Sequence, residues 1–198
     1  MTRKWTVGVA LVIAAVAVLG IGVFVGKKVV GDGDSVVSKR PADEPTGEFR
    51  DEKAGFGLTF PKTWTRYSPP DPDISLVVSE KPAEENSGGS ILVRVIPIGT
   101  AITAERLEEA RQLTDQLVLG EGVEVKAEPT QVTRAGLPGY YYLYTFDDKA
   151  SGQRGAHSHY FLFKDQNMIT IVFQALPETD FARLAKTFDA VESSFRAL

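Results

Sequence analysis

The 198-residue chain contains 43% hydrophobic and 24% charged residues, proportions of an ordinary globular protein that exclude wholesale disorder. It has no cysteine, which excludes a disulfide framework, a thiolate metal site, a cysteine nucleophile and the acylated cysteine of bacterial lipoproteins. Residues 49–198 carry 16 Lys and Arg against 21 Asp and Glu. Such an acidic domain is a poor partner for nucleic acid, because neutralised phosphates supply most non-specific affinity.

Residues 5–25, WTVGVALVIAAVAVLGIGVFV, are predicted to form a transmembrane signal anchor. About 20 apolar residues span a hydrocarbon core of roughly 30 Å, whereas the apolar part of a cleavable signal is usually about 7 to 15 residues long. No small-residue cleavage site follows, so we expect the anchor to stay uncleaved, with cleavage as the alternative. Gly22 and Gly26 form a small-xxx-small pattern, which leaves a homodimer of this helix as an open alternative.

Positive charges flank the predicted anchor on both sides. Residues 1–4 provide three positive groups, the amino terminus with Arg3 and Lys4, against Lys27 and Lys28 on the other side. The positive-inside rule therefore predicts a cytoplasmic segment at 1–4. The expected location is the cell membrane, crossed once, with the C-terminal domain on the extracytoplasmic side.

A polar segment separates the anchor from the folded domain. Residues 26–48 are predicted to be a flexible linker. From residue 31 onward this segment is rich in Gly, Asp, Pro and Glu without an apolar period, so it cannot bury enough surface to offset the entropy of ordering. The folded domain is predicted to span residues 49–198.

The first predicted strand lies in FGLTFPKTW, residues 56–64. Its apolar residues alternate, and Pro61 ends it because proline donates no hydrogen bond to a neighbouring strand. Trp64 then follows as a large apolar side chain suited to covering the end of a sheet. The segments 74–80 and 90–98 predict a hairpin with a long connecting loop.

A helix, a strand meander and a second helix follow. The first helix is predicted over 103–120, with Thr103 as N-cap and Gly120 as the end. Its apolar stripe is Leu107, Ala110, Leu113 and Leu117. The predicted strands of the meander are 123–133, 139–146, 156–164 and 168–175. The closing helix, within 179–195, has the stripe Phe181, Leu184, Ala185, Phe188, Val191 and Phe195. We therefore expect an α+β fold in which a mostly antiparallel sheet lies between two helical layers, preceded by one transmembrane helix.

Two stretches of the domain resemble the PsbP-like proteins and their bacterial relatives. They are GFGLTFPKTW and the later run LPGYYYLYTF, HSHYFLFKDQNMITIVFQA and FDAVESSFRAL. Among these relatives the chain is most similar to the LpqN-like exported proteins of actinobacteria, although it has an apolar helix where those have an acylated cysteine. The resemblance implies an α/β/α sandwich and an accessory or binding role. It transfers no functional residue and no partner identity.

Two aromatic or imidazole rows are candidate sites. His157 and His159 alternate on one predicted strand and share a face, a spacing at which two imidazoles ligate zinc or copper. The sequence identifies no third ligand, and the pair is equally the polar end of a packed face. On the preceding strand Tyr140, Tyr142 and Tyr144 share a face, which predicts either a ligand or partner surface or a packing surface beneath a helix.

Acidic pairs in the chain show no catalytic arrangement. Asp71 and Asp73 lie in a proline-set loop and provide too few oxygens for calcium. Two further carboxylate pairs fit solvated faces and turns; they are Glu108 with Glu109, and Asp147 with Asp148. No nucleophile motif and no phosphate-binding loop is found.

The favoured hypothesis is a membrane-anchored, extracytoplasmic, non-catalytic binding module of the cell envelope that needs no cofactor and binds an envelope protein. One alternative is a small-molecule or lipid carrier with a pocket between sheet and helix. The other is a metal-binding protein or enzyme that uses His157 and His159.

Overall fold

The computed structural model describes residues 46–69, 71–82 and 85–198. The predicted cytoplasmic segment 1–4, the anchor 5–25 with Gly22 and Gly26, and most of the linker 26–48 lie outside the described residues. No helix within the described part of the chain is long and apolar enough to cross a membrane.

The larger of the two sheets in the described part of the chain has seven strands, all antiparallel to their neighbours. The strands are β3 (Thr65–Tyr67), β4 (Ile74–Ser79), β5 (Gly88–Pro97), β6 (Val123–Arg134), β7 (Leu137–Asp148), β8 (Gln153–Lys164) and β9 (Asn167–Leu176). Their order across the sheet is β3-β4-β5-β9-β8-β7-β6. The predicted hairpin (β4–β5) and the predicted four-strand meander (β6–β9) are confirmed.

A second, three-stranded sheet was not predicted. Its central strand β2 (Phe56–Pro61) is the predicted first strand, and it is flanked by β1 (Thr46–Asp51) and β10 (Arg196–Ala197), both antiparallel to it. β1 thus begins three residues before the predicted domain start at residue 49. β1 lacks the alternation of a half-buried strand because Phe49 is its only buried residue.

The closing helix α2 (Phe181–Ser193) and the small sheet cover one side of the seven-stranded sheet. The predicted stripe is confirmed at its centre, where Leu184, Phe188 and Val191 are buried. Trp64 is buried in the same cluster and meets the Phe188 ring edge-on, with centroids 6.4 Å apart. A Cβ on Gly89 of β5 would lie 2.8 Å from both Trp64 and a Leu184 methyl, so only glycine permits this close approach.

The helix α1 (Leu107–Val118) lies against the opposite side of the large sheet, so the sheet is sandwiched between helices as predicted. The helix begins later than predicted, because a single 3-10 turn, Ala104–Arg106, follows Thr103. Its buried residues are Leu107, Ala110, Thr114 and Val118, whereas the predicted Leu113 and Leu117 are only partly buried. The helix is therefore rotated toward a face that includes a threonine, and the reason lies in the sheet beneath it.

Candidate functional site

Both candidate rows lie on the side of the sheet that faces α1, where strand register brings them together. β7 and β8 are antiparallel neighbours, and Tyr144 lies opposite His157, Tyr142 opposite His159 and Tyr140 opposite Phe161. Side chains directly opposite each other on one face of such a pair are in contact range. The two rows that the sequence singles out separately thus form one continuous patch.

The tyrosine rings are buried beneath α1, and two of them, Tyr140 and Tyr142, are bonded to it. Tyr140, Tyr142 and Tyr144 are at most 2% exposed. The Tyr142 hydroxyl donates to Asp115 Oδ1 (2.7 Å) and lies 2.6 Å from Thr114 Oγ1. Burial raises the pKa of the Tyr142 phenol, so it remains a neutral donor.

Tyr140, at one end of the tyrosine row, is also bonded to α1. The Tyr140 hydroxyl donates to Glu108 Oε2 (3.2 Å), and the Arg111 guanidinium lies over the Tyr140 ring, 5.6 Å from its centroid. Arg111 in turn donates to Asp115 (3.0 Å) one turn further along the helix. Polar groups of α1 therefore line the tyrosine row from Glu108 to Asp115.

At the other end of the tyrosine row, Tyr144 belongs to a polar cluster with His157, His159 and Gln174. We call it the His–Tyr–His cluster. The Tyr144 hydroxyl lies 2.9 Å from His157 Nδ1 and 3.2 Å from His159 Nδ1. His157 Nε2 lies 2.8 Å from Gln174 Oε1 on β9. His159 Nε2 is buried and has no hydrogen-bond partner among the residues that the structure describes.

Burial controls the protonation of the cluster. Loss of water around the imidazoles lowers the pKa of His157 to about 4, against an opposing effect of the Gln174 hydrogen bond. The pKa of His159 is lowered well below its usual range by the same loss of water and by the nearby His157. Burial also raises the pKa of the Tyr144 phenol. All three groups are therefore neutral at pH 7.

No protein-family model and no curated protein matches the sequence. The solved structures that share the fold of the described chain include two of particular interest. CyanoP, the PsbP protein of Synechocystis sp. PCC 6803, superimposes with a TM-score of 0.52 at 15% identity, over 82% of this chain and 98% of its own. LpqN of Mycobacterium tuberculosis, described as involved in cell envelope biogenesis, gives a TM-score of 0.52 at 11% identity, over 78% of this chain and 86% of its own. The fold is PsbP-like.

The tyrosines of this PsbP-like domain are inside the molecule rather than on its surface. A protein partner cannot touch rings that are at most 2% exposed, so the predicted partner face does not exist as an open surface in this conformation. The same rings fill the interface of β7 with α1, where the carrier hypothesis places its pocket. Of the two sequence interpretations, packing beneath a helix matches the observed geometry.

The imidazoles of the PsbP-like domain meet a phenol rather than another strong metal ligand. Both Nδ1 atoms are directed at the Tyr144 hydroxyl. Within residues 46–69, 71–82 and 85–198, no group of three or more His, Cys, Asp or Glu side chains is arranged to hold a metal ion. The third ligand that the metal hypothesis requires is thus not found among these residue types in the described chain.

Several polar residues of the site were missed from sequence. Thr114 occupies a helical position one turn from Ala110 and Val118, and Gln174 interrupts the apolar strand MITIVFQA. A polar residue at a buried position of an apolar pattern was the available signal, because such a residue needs a buried partner. Asp115 carried no such signal, since its pairing with Tyr142 depends on how α1 lies on the sheet.

The acidic pairs have structural roles. Asp71 pairs with Arg94 and accepts the Asp73 backbone N–H (2.9 Å), so it closes its own loop. Asp148 is buried rather than solvated and accepts hydrogen bonds from Ser151 and from Asn86 Nδ2 (3.1 Å). These bonds lower the pKa of Asp148 against the opposing effect of burial, which is the larger single influence.

Replacing Tyr142 by phenylalanine is expected to lower the free energy of unfolding by about 2 kcal/mol, because a partly buried bond to a carboxylate is lost and Thr114 loses a buried partner. Urea denaturation followed by circular dichroism measures the change. Tyr141→Phe is the matched control, since Tyr141 is half-buried on the other side of the same strand, and its effect should stay within about 0.5 kcal/mol. Equal losses in the two variants would contradict a specific role for the Tyr142 hydroxyl.

Proposed function

We propose that the protein is a single-pass membrane protein whose residues 49–198 form a non-catalytic, extracytoplasmic binding module of the cell envelope. The apolar segment 5–25 and its flanking charges support the location. The PsbP-like fold, shared with a protein involved in cell envelope biogenesis, supports an accessory role. The fold similarity is the observation on which the binding role rests.

The chemistry of the described residues is consistent with binding rather than catalysis. The His–Tyr–His cluster is neutral and buried, and its phenol and imidazoles hydrogen-bond one another. A nucleophile or general base must reach a substrate atom, which these groups do not in this conformation. The partner surface must therefore be sought on the outer faces of the domain.

The location is tested by protease protection. Spheroplasts that display the native membrane orientation, with a tag after residue 198, should lose the tag to added protease while a cytoplasmic marker survives. A tag that resists protease until the membrane is permeabilised would place the domain in the cytoplasm and overturn the proposal.

The binding role is tested by cross-linking the full-length protein in its native membranes. The matched control joins residues 1–45 to an unrelated folded domain, so it keeps the predicted anchor and most of the predicted linker without any strand of the PsbP-like domain. We expect an envelope protein captured by the full-length chain and absent from the control. Identical captures by the two chains would contradict a binding role for residues 49–198.

A further inference from the structure

We propose that the His–Tyr–His cluster is an acid-sensitive switch that holds α1 on the sheet at neutral pH and releases it when an imidazole is protonated. The proposal concerns regulation built into the fold and does not depend on the proposed function. Three observations support it. The Tyr144 phenol and the imidazoles of His157 and His159 share a fixed number of protons, all three side chains are buried, and the phenol packs beneath α1.

In the neutral state, each proton shared between the phenol, the imidazoles and Gln174 lies in a hydrogen bond. His157 Nε2–H donates to Gln174 Oε1, which leaves His157 Nδ1 as an acceptor for the Tyr144 hydroxyl. The Tyr144 oxygen then accepts the Nδ1–H of His159. These tautomers follow from the hydrogen-bond geometry, and they leave a bare lone pair on the unpartnered Nε2 of His159.

One added proton disrupts this arrangement wherever it binds. On His157 Nδ1 it creates an N–H directed at the Tyr144 O–H, so the phenol must give up its donor bond and lose its only acceptor in the cluster. On His159 Nε2 it creates a buried N–H with no acceptor. A buried donor without an acceptor destabilises the closed state, and the buried positive charge adds to that cost.

Among the described residues, the charged groups near the cluster are engaged elsewhere; Asp148, on the same face of β7 as Tyr144, binds Ser151 and Asn86. β7 contributes the neutral phenols of Tyr144 and Tyr142, and β9 contributes the neutral amide of Gln174. The charged groups of α1 at the row are also engaged: Glu108 accepts the Tyr140 hydroxyl, and Asp115 accepts hydrogen bonds from Arg111 and from the Tyr142 hydroxyl. The neighbouring residues of β6, Val123 and Val125, are apolar, and on β5 Ser90 lies opposite Gln174. The positive charge of an imidazolium in the cluster is therefore stabilised only when water reaches it.

Water reaches the cluster most easily if α1 moves. Tyr144 belongs to the buried set that includes Leu107, Ala110 and Val118 of α1, whereas α2 packs on the opposite side of the sheet. α1 is joined to the chain by exposed turns and takes no part in strand pairing. Its displacement leaves both sheets hydrogen-bonded and exposes the tyrosine row.

The expected size of the effect follows from linkage between protonation and opening. In the open state a histidine has an ordinary pKa of about 6.5, whereas in the closed state the pKa of His157 is about 4. The open state thus binds more protons, and opening becomes more favourable as pH falls from 6.5 toward 4. At pH 5 this difference favours opening by about 30-fold for His157 alone, and at pH 7.5 the effect is negligible.

Hydrogen–deuterium exchange of the full-length protein in detergent micelles tests the switch. Between pH 7.5 and 5.0, after correction for intrinsic exchange rates, protection of α1 should fall by about 30-fold or more while α2 keeps its protection. The double variant His157→Gln with His159→Gln, which cannot bind the added proton, should show no such loss. Equal loss in α1 and α2, no loss in α1, or the same loss in the variant would overturn the proposal.

A second measurement on the unmodified protein keeps the test decisive if the double variant does not fold. Imidazole nitrogen spectra of ¹⁵N-histidine-labelled protein report protonation directly. We expect both cluster imidazoles to be neutral at pH 5 in molecules whose α1 is protected, and protonated signals to grow only as that protection is lost. Ordinary titration near pH 6.5 with α1 still protected would overturn the proposal.

Discussion

Replacing Gly139 by alanine is expected to lower the free energy of unfolding by about 3 kcal/mol or more. Gly139 lies in β7 between β6 and β8, opposite Val132 and Leu162. A Cβ built on it would lie 2.1 Å from the Phe161 carbonyl oxygen. That contact is with backbone, so relief requires β7 and β8 to separate, which breaks the ladder that aligns the tyrosines with the histidines.

The control for this substitution is Gly120→Ala. A Cβ at Gly120 meets no atom within 4 Å, and its φ is not in the left-handed region. We expect a change within about 0.5 kcal/mol, measured for both variants by urea denaturation followed by circular dichroism. A Gly139→Ala protein as stable as the control would show that the two strands are not held as closely as described.

Replacing Phe188 by alanine is expected to cost about 3 to 5 kcal/mol, the range for deleting a buried aromatic ring. Phe188 of α2 is 3% exposed and meets Trp64, Phe173 and Phe181, with ring centroids 6.4, 5.3 and 5.7 Å away. Its removal leaves a cavity between α2, β9 and Trp64. Differential scanning calorimetry measures the loss as a lower melting temperature and unfolding enthalpy.

Phe181→Ala is the matched control, because Phe181 belongs to the same helix and the same stripe but is only partly buried. It should cost about 1 to 2 kcal/mol, since less apolar surface leaves water and little cavity forms. A larger loss at Phe181 than at Phe188 would contradict the assignment of Phe188 to the centre of the α2 interface.

Strongly periodic segments were predictable from sequence. The closing helix, the hairpin and the meander each carry an apolar repeat of the right period, and Trp64 is buried as its position after Pro61 implies. The short strands β1, β3 and β10 carry no such repeat. They are strands because β2 and β4 lie beside them, and that adjacency arises only once the chain is folded.

The sequence was enough to predict which residues form the candidate site, but not whether those residues are exposed or buried. Alternation correctly places the tyrosines on one face and the histidines on one face. Whether a face is open or covered depends on where α1 lies, and the apolar stripe of α1 alone suggests a rotation that omits Thr114. The pairing of Thr114 with Tyr142 is a contact between residues 28 positions apart, for which a single sequence gives no distance information.

β10 has a consequence for the solubility of the domain. Arg196 and Ala197 pair with Gly57 and Phe56, and the Leu198 N–H donates to the Gly55 carbonyl (2.9 Å). These bonds cover one edge of β2, an apolar strand whose other edge is covered by β1. An uncovered apolar strand recruits strands from other molecules through its free N–H and C=O groups. Trimming residues 196–198 would therefore turn a closed sheet edge into a nucleus for aggregation, even though the main core would stay intact.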